Sequence, residues 1–187
     1  MIFTETSIAG VWEIQPELRP DERGYFFESF RSDLFQQNIG NIDFIQDNES
    51  SSRYGVMRGM HYQLPPFAQS KLLRVVVGKI QDVAVDMRPG SATYRQHISV
   101  ELSAEKHNQL FVPKGFAHGF ATLSDVSILQ YRVDAPYDHD SDRSISLRDP
   151  SLKIHWLVTP DELNLSDKDR AAPLFDDADK FLPGWDR

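Results

Sequence analysis

Leu72-Leu73-Arg74-Val75-Val76-Val77-Gly78-Lys79-Ile80-Gln81-Asp82-Val83-Ala84-Val85-Asp86-Met87 is two apolar, β-branched runs interrupted once. It reads as two strands joined at Gly78-Lys79. The pattern continues outward. Ile98-Ser99-Val100-Glu101-Leu102 alternates apolar and polar residues as a half-exposed antiparallel strand does. Runs at 110–112, 116–123 and 126–133 follow, with turns at Pro89-Gly90, Pro113-Lys114-Gly115 and Ser124-Asp125. Strands at such spacing from residue 44 to 133, with almost no helix between them, predict an all-β sandwich or barrel.

The flanks are less regular. Ile8, Val11, Trp12 and Ile14 suggest one or two short strands, and residues 20–24 a turn. The aromatic run 25–30 reads as a buried strand. A two-turn helix is expected next, with Ser32 as N-cap, Asp33 in its first turn, Leu34 and Phe35 facing inward and Gly40 past its end. Ile154-His155-Trp156 reads as a last strand, and 165–177 as a charged tail with little periodicity. With no repeat and no linker, residues 1–187 form one domain, long enough to bury a sizeable core.

Composition narrows the function. The chain is 40% hydrophobic and 26% charged, as ordinary globular proteins are, and its net charge of -8 argues against a nucleic-acid surface. An anionic small substrate would need a local group of Arg and Lys. The absence of cysteine excludes disulfides, thiolate nucleophiles and thiolate metal sites, and makes the cytoplasm the expected compartment. No signal peptide and no run of 18 apolar residues is found, so no membrane partner is expected.

Chemistry concentrates in Met57-Arg58-Gly59-Met60-His61-Tyr62-Gln63, Lys71 and Pro113-Lys114-Gly115-Phe116-Ala117-His118. The Pro-x-Gly-x-x-His turn resembles the second motif of cupins. The first cupin motif, two histidines one residue apart, a glutamate and a glycine six residues on, corresponds to His61-x-Gln63, Lys71 and Gly78. The resemblance implies a double-stranded β-helix, or jelly-roll barrel, with short peripheral helices. Gln63 is a poor metal ligand and a protonated Lys71 would repel a divalent ion, so a metal-free, cofactor-free cupin is inferred. His97, His107, His139 and His155 are read as ordinary core or surface residues.

A longer set of matches resembles the dTDP-4-dehydrorhamnose 3,5-epimerase family. It comprises Asp21-Glu22-Arg23-Gly24 with Phe26, Phe27 and Glu28; Gln46-Asp47-Asn48; Arg58-Gly59-Met60-His61; Ala68-Gln69-Ser70-Lys71; residues 82–86 and 113–120; and Leu165-Ser166-Asp167-Lys168-Asp169. The resemblance implies a dTDP-4-keto-6-deoxyhexose substrate, epimerised at carbons 3 and 5 in dTDP-L-rhamnose supply. By that likeness His61 is the base, Asp169 its orienting carboxylate, Tyr131 the proton donor and Lys71 the cation at the enolate oxygen. Arg23 and Arg58 would hold the diphosphate, and Tyr137 would stack on thymine. Phe26, Glu28, Gln46, Asn48, His118, Asp142 and Lys168 would contact nucleotide or sugar. It further implies a homodimer that exchanges N-terminal strands.

Arg58 and His61 differ by three and would leave a regular strand on opposite faces. If both meet the substrate, Gly59 must sit in a bulge or the strand must begin after it. Asp142 stands where glutamate is common in the family, Leu147 where tryptophan is common, and Pro136-Tyr137-Asp138 alters the loop of the stacking tyrosine. Such differences bear on which sugar is accepted and whether one carbon or both are epimerised. A mono-epimerase is therefore the alternative. A binding cupin without turnover and a metal-dependent cupin oxygenase are the competing readings from other classes.

Overall fold

The computed structural model describes residues 1–158 and 164–185. Two antiparallel sheets carry the fold. Strands β1 (Ile2–Glu5), β2 (Trp12–Gln15), β5 (Gln46–Arg53), β7 (Lys71–Val77), β10 (Gln109–Val112) and β12 (Val126–Val133) form one, in the order β1-β2-β10-β7-β12-β5. Strands β6 (Met57–Gln63), β8 (Lys79–Asp86), β9 (His97–Ser103), β11 (Phe116–Thr122) and β13 (Asp142–Ser144) form the other, in the order β13-β6-β11-β8-β9. Consecutive strands β7 and β8 lie in different sheets, so the Gly78 turn crosses between them. Gly78 has φ +73°, and a Cβ there would come 2.2 Å from the Val126 carbonyl oxygen.

Strand alternation sorts the buried residues into three layers. Between the sheets pack Leu73, Val75, Ile80, Ala84, Leu110, Val112, Phe116, Phe120 and Leu129. The outer face of the five-stranded sheet, with Met57, Met60, Tyr62, Val83, Val85 and Ala117, is covered by the C-terminal segment through Leu152, Leu165, Phe175 and Phe181. The outer face of the six-stranded sheet is closed by α1 (Ser32–Asn38), whose Phe35 meets Phe3, Phe44 and Phe111 edge-on at 5.6–5.7 Å. Every residue of β11 and all but the first of β8 are buried, because each strand has neighbours on both edges and a layer on both faces.

Four expectations from the sequence change. Residues 25–30 are not a buried strand: among the described residues β4 (Gly24–Phe26) pairs only with β3 (Arg19–Asp21), and Tyr25 and Phe26 are largely exposed because no layer of those residues covers that hairpin. Ser32 is the first helical residue, not the cap; Arg31 caps α1 with no side-chain bond, its guanidinium engaged by Asp33 instead. Residues 154–156 run without strand pairing, their direction fixed by Gln81, which donates to the His155 carbonyl and accepts from Leu157 N–H. The tail contains a short helix, α2 (Asp167–Arg170). Among the described residues no helix is long and apolar enough to cross a membrane.

Candidate active site

A cavity of about 480 Å³ opens between the sheets, lined by Arg58, His61, Lys71, His118, Tyr131 and Asp169, with Phe120 and Leu129 as apolar wall. A second hollow of about 360 Å³ shares His61, Lys71 and Tyr131 with it and extends to Gln46, Asn48, Tyr137, Asp142 and Lys168. The two form one cleft with a reacting end and an outer arm.

β6 runs through both Arg58 and His61, so of the two possibilities their spacing left open it takes the bulge. His118 of β11 opposes His61 and Phe120 opposes Arg58, so two steps along β11 face three along β6. Gly59 occupies the extra position, with φ +114° and a cis peptide to Met60. A Cβ on Gly59 would lie 2.6 Å from both Gly119 Cα and the His118 carbonyl oxygen, so no other residue fits. The Arg58 guanidinium is steadied from β5, donating to Ser52 Oγ (3.0 Å) and to the Ser51 carbonyl (3.2 Å).

His61 Nε2 lies 2.6 Å from Asp169 Oδ1. Asp169 comes from α2, where Ser166 is the N-cap: its hydroxyl accepts from Asp169 N–H (3.1 Å) and donates to Asp169 Oδ2 (2.8 Å). Burial raises the carboxyl's pKa, but hydrogen bonds from His61, Ser166 and the Gly59 backbone outweigh it and hold Asp169 below the ordinary aspartate value. The group is therefore an anion beside the imidazole.

Tyr131 stands on the opposite sheet, on β12, in register with Asn48 and Leu73. Burial pushes its phenol pKa up, against a smaller opposing pull from Arg58, so the hydroxyl keeps its proton. Lys71, the first residue of β7, has its ammonium pulled down to about 8 by desolvation, against the attraction of Asp82 and Asp142. At neutral pH it is still mostly a cation, and a poorly solvated one, which strengthens its pull on a developing oxyanion. His118 is 7% exposed and lies 2.9 and 3.0 Å from the two oxygens of fully buried Asp82.

In the outer arm Asp142 Oδ2 accepts from the Tyr137 hydroxyl (3.1 Å) and from Lys168 Nζ. Gln46 Nε2 donates to Asn48 Oδ1 (2.7 Å). The structure thus brings Gln46, Asn48, Arg58, His61, Lys71, His118, Tyr131, Tyr137, Asp142, Lys168 and Asp169 to one cleft. Arg23, Phe26 and Glu28 are not among them. Arg23 projects into solvent with Asp21, Phe26 is 63% exposed on the β3–β4 hairpin, and Glu28 faces Arg31. Neither His97, His107 nor His155 lines this cleft, and His139 lies on its outer rim loop.

Sequence reasoning missed the Asp82 partner of His118 and the Ser166 cap. Both had a signal: Asp82 is a carboxylate inside an otherwise largely apolar stretch, and Ser166-x-x-Asp169 is a capping pattern.

The family model described as dTDP-4-dehydrorhamnose 3,5-epimerase matches residues 5–177. The protein of that name from Shigella flexneri is 45% identical over 97% of this chain and all of its own length. Among solved structures, the dTDP-4-dehydrorhamnose 3,5-epimerase of Elizabethkingia anophelis superposes with a TM-score of 0.92 at 41% identity, covering 95% of this chain and 97% of its own. The dTDP-6-deoxy-D-glucose-3,5-epimerase of Legionella pneumophila, solved in complex with dTDP-4-keto-L-rhamnose, gives 0.91 at 41% identity, covering 95% and 94%.

Proposed function

The chain belongs to the dTDP-4-dehydrorhamnose 3,5-epimerase family, and from that premise we propose how its cleft inverts two carbons of a dTDP-4-keto-6-deoxyhexose. The ketone at carbon 4 acidifies the protons on carbons 3 and 5. His61, held by the Asp169 anion, removes one of them, and the electron pair moves into an enolate whose oxygen lies against the Lys71 ammonium. Tyr131 then gives its proton to the same carbon from the other side. Collapse of the enolate restores the ketone with that centre inverted. Solvent reprotonates the phenolate and deprotonates the imidazolium, and the cycle repeats at the second carbon, with no redox change.

The observation that carries this reading is that His61 and Tyr131 come from opposite sheets yet line one cavity, with Lys71, on the strand beside that of Tyr131, in the same cavity wall. Base and acid on one sheet would reach one face of the sugar; on facing sheets they reach both. Arg58 supports the diphosphate by its paired donors, and Tyr137 supplies a flat platform for the base at the mouth. Substrate incubated with the protein in deuterated water will acquire label at carbons 3 and 5, and His61→Ala will stop it. Label at one carbon alone would assign a mono-epimerase, and stabilisation by dTDP without exchange a binding protein.

Arg23, Phe26 and Glu28 support a homodimer. They match substrate-contacting positions of the family, yet Arg23 and Phe26 lie exposed on the β3–β4 hairpin and Glu28 exposed just beyond it. In the proposed assembly this hairpin reaches the cleft of a second copy. Light scattering will give twice the 21.4 kDa chain mass, and Arg23→Ala will weaken substrate binding although Arg23 is remote from His61 in its own chain. A mass of one chain would overturn the assembly.

A further inference from the structure

Gln63 is a buried polar side chain at the cleft for which the proton chemistry has no use. It follows His61 by two residues on β6, so both point to the same face. At 5% exposure its amide is spent on main chain: Nε2 donates to the Phe67 carbonyl (2.6 Å) and the Pro136 carbonyl (3.0 Å), and Oε1 accepts from Asp138 N–H (2.8 Å). An amide offers two donors and two lone pairs, so three of four are engaged. The last two bonds straddle one residue, taking the carbonyl before Tyr137 and the N–H after it. Gln69 adds a third point, donating from Nε2 to the Ala135 carbonyl at 2.7 Å.

Residues 135–138 lie in no strand, and Pro136 has no N–H to offer. Side-chain amides therefore supply what a sheet neighbour would supply elsewhere. Beyond this clamp the Tyr137 ring stands 61% exposed at the cleft mouth, tied at its far end by the hydroxyl's bond to Asp142. The ring's height over the cleft follows from two anchors, one of main chain and one of hydroxyl.

We propose that Gln63, assisted by Gln69, is a positioning residue that sets the Tyr137 ring for the aromatic base of the nucleotide. The proposal rests on Tyr137 being that platform. It also accounts for an amide where a cupin metal site would have imidazole: the amide gives two donors and an acceptor from one end, enough for Phe67, Pro136 and Asp138 together, whereas a neutral imidazole has one donor and one acceptor on opposite sides of its ring. A carboxylate of the same shape could keep the Asp138 bond but would face two carbonyl oxygens.

Gln63→Glu, Tyr137→Ala and the double variant are titrated with dTDP by calorimetry, with pyrophosphate as the base-free probe. Each single change weakens dTDP about tenfold, as loss of one stacking contact does. The double variant binds no more weakly than the poorer single one, because Gln63 acts through the ring. Pyrophosphate affinity is unchanged, and in turnover KM rises with kcat held within about threefold. Unchanged dTDP affinity in Gln63→Glu, losses that multiply in the double variant, or an equal loss for pyrophosphate would each overturn the proposal. Should Gln63→Glu not fold, Gln69→Leu serves in the same cycle, with a loss of about threefold that vanishes beside Tyr137→Ala; no loss overturns the clamp. If Tyr137→Ala alone leaves dTDP affinity intact, the platform reading fails as well, and that outcome is distinct from failure of the clamp alone.

Discussion

His61 and His118 face each other across adjacent strands and each holds an aspartate, yet the two pairs are built differently. His118 and Asp82 are both carried by strands of the five-stranded sheet; they are buried, and the imidazole nitrogen meets both carboxylate oxygens. The Asp169 partner of His61 is 108 residues away in sequence and comes from a four-residue helix outside the sheet. The His61 side chain is 33% exposed, against 8% for His118. An imidazole that must take a proton from a substrate and pass it to water needs that opening. One enclosed between strands can hold a group in place but has poor access to solvent. The contrast supports the proposed division, with proton transfer at His61–Asp169 and rigid placement at His118–Asp82.

The largest test of that contrast replaces the imidazoles. His61→Asn is expected to lower kcat by about a thousandfold or more, as loss of a general base does, and His118→Asn to act mainly through KM, by about tenfold. Steady-state kinetics showing the reverse order would exchange the roles.

Next comes the cation that shares the cavity with both histidines. Lys71→Met is expected to lower kcat about a hundredfold by removing the enolate's partner. Because the folded pKa is about 8 and the unfolded one near 10.4, burying the ammonium opposes folding in full below pH 8. That penalty fades between pH 8 and about 10.4, where the unfolded chain alone stays protonated. Lys71→Met will therefore raise the melting temperature at pH 7, by up to about 3 kcal/mol of stability. In the native enzyme kcat will fall as pH rises through about 8, a limb absent from Lys71→Met.

The carboxylates separate the pairs by a smaller margin. Asp82→Asn removes one partner of an enclosed pair in the middle of a sheet, costing about 3 kcal/mol of stability with a modest effect on kcat. Asp169→Asn, at the edge of the cleft, will cost less stability and lower kcat about a hundredfold. Denaturant melts and kinetics on both variants decide it. Smallest is Ser166→Ala, which removes the helix cap and one donor to Asp169: about 1 kcal/mol of stability and a fewfold drop in kcat. An unchanged kcat there would mean that Asp169 is oriented by His61 and the Gly59 backbone alone.

Strands β7 to β12 were legible because their apolar runs are short, and glycine, proline and serine mark the turns. Residues 25–30 misled for a related reason. Aromatic content reports a surface able to be buried, but burial needs a neighbouring layer, and the described residues provide none for the β3–β4 hairpin. The three-residue spacing of Arg58 and His61 left two possibilities, a bulge at Gly59 or a strand beginning after it, and the register shift within β6 decides for the bulge. The helix carrying Asp169 could not be read from periodicity, since four residues complete barely one turn.

By itself the sequence determined the β-rich class and, through its motifs and their family likeness, put forward the candidates: a histidine with its aspartate, a tyrosine and a lysine for the proton chemistry, and two arginines for the diphosphate. Both are local properties, carried by alternation, turn residues and short spacings. Only the tertiary structure decided that His61 and Tyr131 line a common cleft, that His118 is enclosed by Asp82, that Gln63 grips the loop of Tyr137, and that Arg23 stands outside its own chain's site. Each of those depends on which strands pair and which layer covers them, and such contacts between distant residues leave no periodic trace along the chain.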